Sequence, residues 1–217
     1  MTTALIDNDV ILKSVQFRII DEILALPLTK DHAYGILGQA KFVLSKLLKK
    51  RPPSRGAESA LADLESALAE FHTLEPTKDE LELAAALEFE AQQLDLPFHT
   101  GESQLCAILL LRGLHHLLTG DKKAIGSAEQ LLLKKKISDA IRQKLVSFEQ
   151  LMLLLLQQKK IEEVRILVCM EKEADRTISS CFSCSSPEVP ASACHEGLLS
   201  YLKSLKAEAE NVLMPVV

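Results

Sequence analysis

Asp7, Glu102 and Asp121 are the acids that this 217-residue chain puts where acids can do chemistry. Asp7 ends the apolar run Thr3-Ala4-Leu5-Ile6, and Glu102 stands in Thr100-Gly101-Glu102-Ser103, at the mouth of an apolar helix. Asp121 stands in Thr119-Gly120-Asp121-Lys122, just past the apolar residues 114–118. Two of the three follow candidate buried strands, and the third opens the helix between strands. In a parallel α/β sheet, residues just beyond the carboxyl ends of strands gather along one edge, where ligands bind. Carboxylates gathered there repel one another unless a cation stands among them. The pattern predicts a divalent-metal site at Asp7, Glu102 and Asp121, with Asp9 and Glu149 as further direct or water-mediated ligands. Taken singly, Glu102 is also favoured by the dipole of its helix and Asp121 suits a plain turn, so the argument rests on all three together.

The elements that must position these acids follow from the hydrophobic pattern. Residues 3–6 read as a short buried strand, after which Val10, Ile11, Val15, Ile19, Ile20, Ile23 and Leu24 keep helical spacing as far as Pro27. A second helix is predicted over residues 31–50, a Pro- and Gly-punctuated loop over 51–56, and a third helix over 57–71. Residues 72–74 suit an edge strand. Thr77 with Glu80 signals a capped helix running to about residue 94. A helix over 103–113, a strand over 114–119, a short helix opened by Ser127 and Gln130, a strand over 144–148 and an apolar helix over 150–157 complete residues 1–150 and their border. Residues 176–197 are rich in Ser and Cys, and a final helix is predicted over 196–213. The order predicts an α/β fold, a small parallel sheet flanked by helices on both faces, with residues 151–217 as a helical extension carrying the Ser/Cys-rich segment and packed on the same domain.

Composition agrees with a packed, helix-rich protein. The chain is 47% hydrophobic and 25% charged, with 4% aromatics and no Trp, so Leu, Ile, Val and Ala must fill the core. The formal net charge of −5 argues against a general polyanion binder, which leaves local patches to be considered. Lys46, Lys49, Lys50, Arg51 and Arg55 form one basic cluster and Lys134, Lys135 and Lys136 another, each suited to phosphates or simply to a solvated helix end. No apolar run is long enough to span a bilayer and no leader pattern opens the chain, so a cytoplasmic protein with no membrane role is expected.

With these residues in view, the chain resembles the PIN-domain (PIN-like) metal-dependent nucleases. The resemblance is carried by Leu5-Ile6-Asp7-Asn8-Asp9-Val10-Ile11-Leu12, by Gly101-Glu102-Ser103-Gln104, and by Leu117-Leu118-Thr119-Gly120-Asp121-Lys122-Lys123-Ala124-Ile125, in that order, over about residues 3–150. It implies a small parallel sheet with an acidic pocket at its edge, Mg2+ or Mn2+ held by Asp7, Glu102 and Asp121, and hydrolysis of RNA by metal-activated water. Thr119 and Ser103 are placed to orient carboxylates or bind phosphate. One departure is plain: the family's further acid belongs in the helices after the first, and residues 35–50 hold neither Asp nor Glu, with Asp31, Glu58 and Asp63 as stand-ins. A non-catalytic PIN-like scaffold or interaction protein is the alternative, and an inhibitory or regulatory protein partner is compatible with either.

Cys181-Phe182-Ser183-Cys184 followed by Cys194-His195 offers three thiolates and an imidazole, a ligand set for Zn2+, with Cys169 able to replace one member. The bland reading is a surface loop of reduced thiols. An odd count of five cysteines favours thiols or a metal over a disulfide framework. His115 and His116 are adjacent on a strand, point to opposite faces, and are read as structural. No Walker loop, dinucleotide fingerprint or nucleophile elbow is present.

Overall fold

The computed structural model describes residues 2–28 and 33–215. Five strands form one parallel sheet in the order β3-β2-β1-β4-β5: β1 Ala4–Ile6, β2 Tyr34–Leu37, β3 His72–Leu74, β4 His116–Thr119 and β5 Leu145–Ser147. The helices are α1 Asn8–Gln16, α2 Ile20–Leu24, α3 Ala40–Lys50, α4 Ala57–Ala69, α5 Lys78–Gln93, α6 Thr100–Leu111, α7 Lys122–Leu133, α8 Phe148–Leu156, α9 Ile161–Met170, α10 Arg176–Cys181 and α11 Ala191–Glu208. The chain builds outward from β1 through β2 to β3, then returns to lay β4 and β5 on the other side. The reversal falls between β1 and β4, and a crevice opens at the carboxyl ends of strands where such a reversal occurs.

Alternation along the strands divides the core into two layers. Ala4, Ile6, Ile36, Leu118 and Val146 face one side, where they join Val10, Leu44, Leu64, Phe148, Leu151, Val168 and Phe182. Leu5, Leu37, Leu117 and Leu145 face the other, with Leu87, Ile108, Ile125, Leu131 and Leu205. Helices therefore cover both faces, as a parallel sheet requires.

Several local expectations are corrected. The helix predicted over 31–50 is a strand followed by a helix, β2 and then α3, and residue 31 lies outside the described residues. Gly35 and Gly38 weaken a helix there, and Tyr34 to Leu37 are buried on both faces, a pattern that period alone does not separate from a helix's inner stripe. Gly35 also admits its neighbours closely, since a Cβ there would lie 2.8 Å from Thr2 Cγ2. The first helix breaks in two where Arg18 takes φ 58°. The helix expected to open at Ser127 begins at Lys122, and Ser127 Oγ instead donates to Pro97 O at 3.2 Å. The Thr77 cap of α5 is present, with Thr77 N donating to Glu80 Oε2 at 2.7 Å.

Residues 211–214 cover the outer edge of β5. Leu145 N donates to Val212 O and Met214 N to Leu145 O, at 2.9 and 2.8 Å. Glu129 of α7, 3% exposed, fixes this segment: Oε2 accepts from Asn211 N and Val212 N, both at 3.1 Å, and Oε1 from Asn211 Nδ2 at 2.6 Å. A buried carboxylate so bonded satisfies donors that would otherwise be stranded beside an open strand edge. Glu129→Ala is expected to cost about 2–3 kcal/mol in chemical denaturation. Amide exchange at Asn211 and Val212 should accelerate well beyond the global change, and unchanged protection there would show that the carboxylate does not hold the segment.

Candidate functional site

Asp7 stands at the reversal point, held by its backbone. Its N–H donates to Leu118 O of β4 at 2.9 Å, and its C=O accepts from Ile11 N, so it both closes β1 and opens α1. Thr119, the last residue of β4 and nearly buried, donates its hydroxyl to Asp7 Oδ2 at 3.3 Å and accepts from Asp121 N at 3.2 Å. One hydroxyl thus ties the two strand ends together. Glu102 comes from the first turn of α6, where Oε2 accepts from His99 N at 2.9 Å. Asp7, Glu102 and Thr119 line a small cavity of about 10 Å³, walled by Phe98, Leu105 and Cys106 among others, with room for about one water-sized occupant.

The electrostatics of that cavity are unbalanced. Burial, then the nearby Asp9 and Glu102 carboxylates, push Asp7 from its ordinary 3.8 up to about 7, against the lowering effect of the Asn8 N–H and the Thr119 hydroxyl. Burial, with Glu102 and Asp7 adding to it, pushes the Cys106 thiol up to about 12, which removes it as a thiolate ligand or nucleophile near neutral pH. Among the described residues, Asp7 and Glu102 form no ion pair.

The remaining predicted ligands are placed differently. Asp121 caps α7, with Oδ1 accepting from Lys123 N and Ala124 N at 2.8 and 3.1 Å, and it does not line the cavity. Asp9 pairs with Lys13 at 2.6 Å. Glu149 is fully buried, with Lys122 Nζ 2.9 Å from Oε1 and no hydrogen-bond partner on Oε2 among the described residues. Among those residues no group of three or more His, Cys, Asp or Glu side chains is arranged to hold a metal ion. The five acids are therefore not one ligand set. Asp7 and Glu102 share a cavity, Asp121 stands beside them, and Asp9 and Glu149 belong to lysines.

Two lysines and a further acid went unnoticed in the sequence. Lys13 is nearly buried and bridges Asp9 to Asp175, the latter at 2.7 Å. Burial alone would lower its pKa, but the Asp9 and Asp175 carboxylates raise it well above the usual value, and Asp175 is lowered by Lys13 against its own burial. Lys122 is likewise raised by Glu149 against burial, and its Nζ stands 3.3 Å from Thr177 Oγ1 and 5.3 Å from the Tyr201 ring centroid. Asp9 and Lys13 at i and i+4 were the available signal for the first pair. Nothing local in the sequence announces Asp175.

Gly120 lets this arrangement close. A Cβ at that position would collide with Asp9 Oδ2 and lie 2.9 Å from Lys13 Nζ, so the β4–α7 turn passes close over the ends of that pair. The zinc expectation is corrected: Cys184 is bonded to Cys169, with Cα atoms 5.0 Å apart, and Cys181 and Cys194 are separately buried thiols, so Cys181, Cys184, Cys194 and His195 form no metal set. Both basic clusters sit at the far ends of helices that leave the acidic edge. At 1.5 Å per residue, twelve-residue α7 carries Lys134 to Lys136 about 18 Å away. Within those clusters Lys136 pairs with Glu90 and Arg55 with Asp63.

Comparison with protein-family models, with curated proteins and with solved structures finds no match.

Raised Asp7 has a consequence for stability. Between about pH 4 and 7 the folded protein keeps a proton that the unfolded chain has released, so stability falls as pH rises through that window and levels off above it. Asp7→Asn should therefore stabilise the protein at about pH 8, on the order of 2 kcal/mol, and leave it unchanged near pH 4. Thermal denaturation at the two pH values is the measurement, and a variant no more stable than the parent at the higher pH would refute the assignment.

Proposed function

We propose that this protein is a divalent-metal-dependent endonuclease of PIN type that hydrolyses RNA phosphodiester bonds at the carboxyl edge of β1 and β4. The observation that carries this reading is that Asp7 and Glu102 line one small cavity and, among the described residues, pair with no cation. Mg2+ and Mn2+ take hard oxygen ligands and need only one or two protein carboxylates, a ligand type and number that the two acids match. When bound, such an ion would supply a nucleophile by easing deprotonation of water and would neutralise developing phosphate charge. Asp7 and Glu102 are the residues that would hold it, and Asp121 would position the edge by capping α7 with its carboxylate while its backbone N–H bonds the Thr119 hydroxyl. Lys13 keeps Asp9 occupied, so Asp9 would act at most through water. RNA as substrate comes from the resemblance alone, as does a restraining protein partner, while a cytoplasmic location is the expectation from the sequence pattern. The Cys169–Cys184 bond bears on location, since the cytosol keeps thiols reduced.

Lys13 and Lys122 favour a second reading, a non-catalytic PIN-like scaffold in which internal ammonium groups balance most of the acids a nuclease would expose. Both readings are tested together by RNA cleavage with Mn2+ and by the thermal shift that Mn2+ produces. For the enzyme, Asp7→Asn and Glu102→Gln should each lower cleavage about a hundredfold or more, the scale of losing several kcal/mol of metal assistance. Asp121→Asn should cost on the order of tenfold. Mn2+ should raise the melting temperature of the parent and not of Asp7→Asn. No cleavage and no Mn2+ shift in the parent would rule out the nuclease and leave the scaffold.

A further inference from the structure

The Ser/Cys-rich segment builds one wall of a roomy surface cleft. It lies between α10 and α11, has a volume of about 580 Å³, within the usual range for ligand sites, and is lined by Arg176, Thr177, Ser180, Ser200, Tyr201 and Ser204, with Cys181 and Gly197 beside them. Among the described residues no carboxylate lines it. On α11 the residues 197, 200, 201 and 204 recur at three- and four-residue spacing, so one helix face supplies a row of hydroxyls and a phenol. The helices meet at Gly197, where a Cβ would lie 2.7 Å from Cys181 O, so the join between the two walls is close-packed. A second cleft of about 280 Å³ continues from it past Arg176 and Ser180 to Lys172 and Ser185.

This cleft adjoins the acidic edge. Thr177 in its wall meets Lys122 Nζ at 3.3 Å, the Tyr201 ring meets the same ammonium, and Lys122 directly follows Asp121 in the chain. Guanidinium, ammonium and rows of Ser and Thr hydroxyls are the groups that contact phosphate and sugar in nucleic-acid complexes, and a single aromatic can stack on a base. The basic clusters at the far ends of α3 and α7 do not offer such a path to the acids.

We propose that the α10–α11 cleft binds the sugar–phosphate backbone of a single-stranded nucleic acid, next to the acidic edge. The choice of nucleic acid rests on the hydrolytic reading above, but the binding itself is separable from cleavage. Arg176 contacts phosphate, the Ser200 and Ser204 hydroxyls contact phosphate or ribose, and Tyr201 stacks on a base while its ring holds Lys122. Arg176 is largely exposed and only loosely paired with Glu173, at 3.4 Å, so its replacement leaves the fold intact.

The test is fluorescence anisotropy of the full chain with a fluorescein-labelled polyuridine oligonucleotide, in chelator so that no metal-dependent cleavage occurs. The parent should bind, with affinity falling as salt rises. Arg176→Ala should weaken binding about tenfold and reduce the salt slope by about one, while Arg176→Lys should recover most of it and Lys134→Ala should change neither. Ser200→Ala with Ser204→Ala should weaken binding several-fold without altering the slope. The proposal is overturned if the parent does not bind, if Arg176→Ala binds like the parent, if uridine monophosphate binds as tightly as the oligonucleotide, or if polyglutamate displaces the oligonucleotide as readily as unlabelled RNA does. Binding that follows this pattern without any Mn2+-dependent cleavage would keep the cleft and remove the hydrolytic reading; cleavage with binding indifferent to Arg176 would do the reverse.

Discussion

Charge balance at the β1–β4 edge governs the arrangement of this protein. Parallel pairing of β1 with β4 and of β4 with β5 brings acids from distant parts of the chain to one end of the sheet. An ionised carboxylate taken out of water must find a cation or stay protonated. Two solutions coexist here. Lys13 reaches in from the last turn of α1 and Lys122 from the first turn of α7, and together they neutralise Asp9, Asp175 and Glu149. Asp7 and Glu102 receive no such partner among the described residues, and Asp7 bears the cost as a pKa near neutrality. Groups with strongly displaced ionisation in a cleft are found disproportionately at working sites, though structural charge networks displace pKa values as well. The same edge contains one example of each, and that separates the cavity of Asp7 and Glu102 from its surroundings.

The backbone explains why the separation is sharp. Asp7 is fixed by its own N–H to β4, and Thr119 is fixed by β4 to Asp7, so the two strand ends move as one body. Asp121 is drawn away from the cavity because its carboxylate caps α7, and a carboxylate at a helix N-terminus is stabilised by exposed N–H groups and the dipole. Gly120 then brings the turn down onto Asp9 and Lys13. A side chain at 120 would have to displace the ends of Asp9 and Lys13, the two groups paired beneath the turn.

The sequence reveals most of the architecture because burial on two faces leaves strong signals. The parallel sheet between helix layers, the positions of β1, β3, β4 and β5, and the Thr77 cap all follow from short apolar runs, turn residues and capping chemistry. β2 is hidden because Ile36 and Leu37 fit a helical stripe as well as a strand, and only Gly35 and Gly38 argue otherwise. The candidate site is legible as a set of acids and illegible as a geometry. Asp7 and Glu102 are drawn together by folding, yet whether an acid faces the cavity or a lysine depends on contacts such as Lys13 with Asp175, 162 residues apart in the chain. No local pattern encodes such a pair. The cysteines mislead for the same reason, since Cys184 is nearer in sequence to Cys181 but bonds to Cys169 across the turn between α9 and α10.

That bond gives the Ser/Cys-rich segment its place. Residues 169–184 form a closed loop, and within it Asp175 reaches Lys13, Thr177 reaches Lys122, and Ile178 and Phe182 enter the same core layer as Ala4 and Ile6. Arg165 of α9 holds the other side of the loop through the carbonyls of Phe182, Ser183 and Ser186. A stretch with this many serines cannot bury enough apolar surface to order itself, so its order comes from the disulfide, from Arg165 and from two apolar anchors. Its hydroxyls are then left facing a cleft while its one buried acid faces the lysine of α1. The loop therefore completes the ionic lining of the sheet edge on one side and forms a polar wall on the other. A helix of ordinary apolar character could have supplied packing, but it would have supplied neither the counter-charge for Lys13 nor the Thr177 hydroxyl beside Lys122.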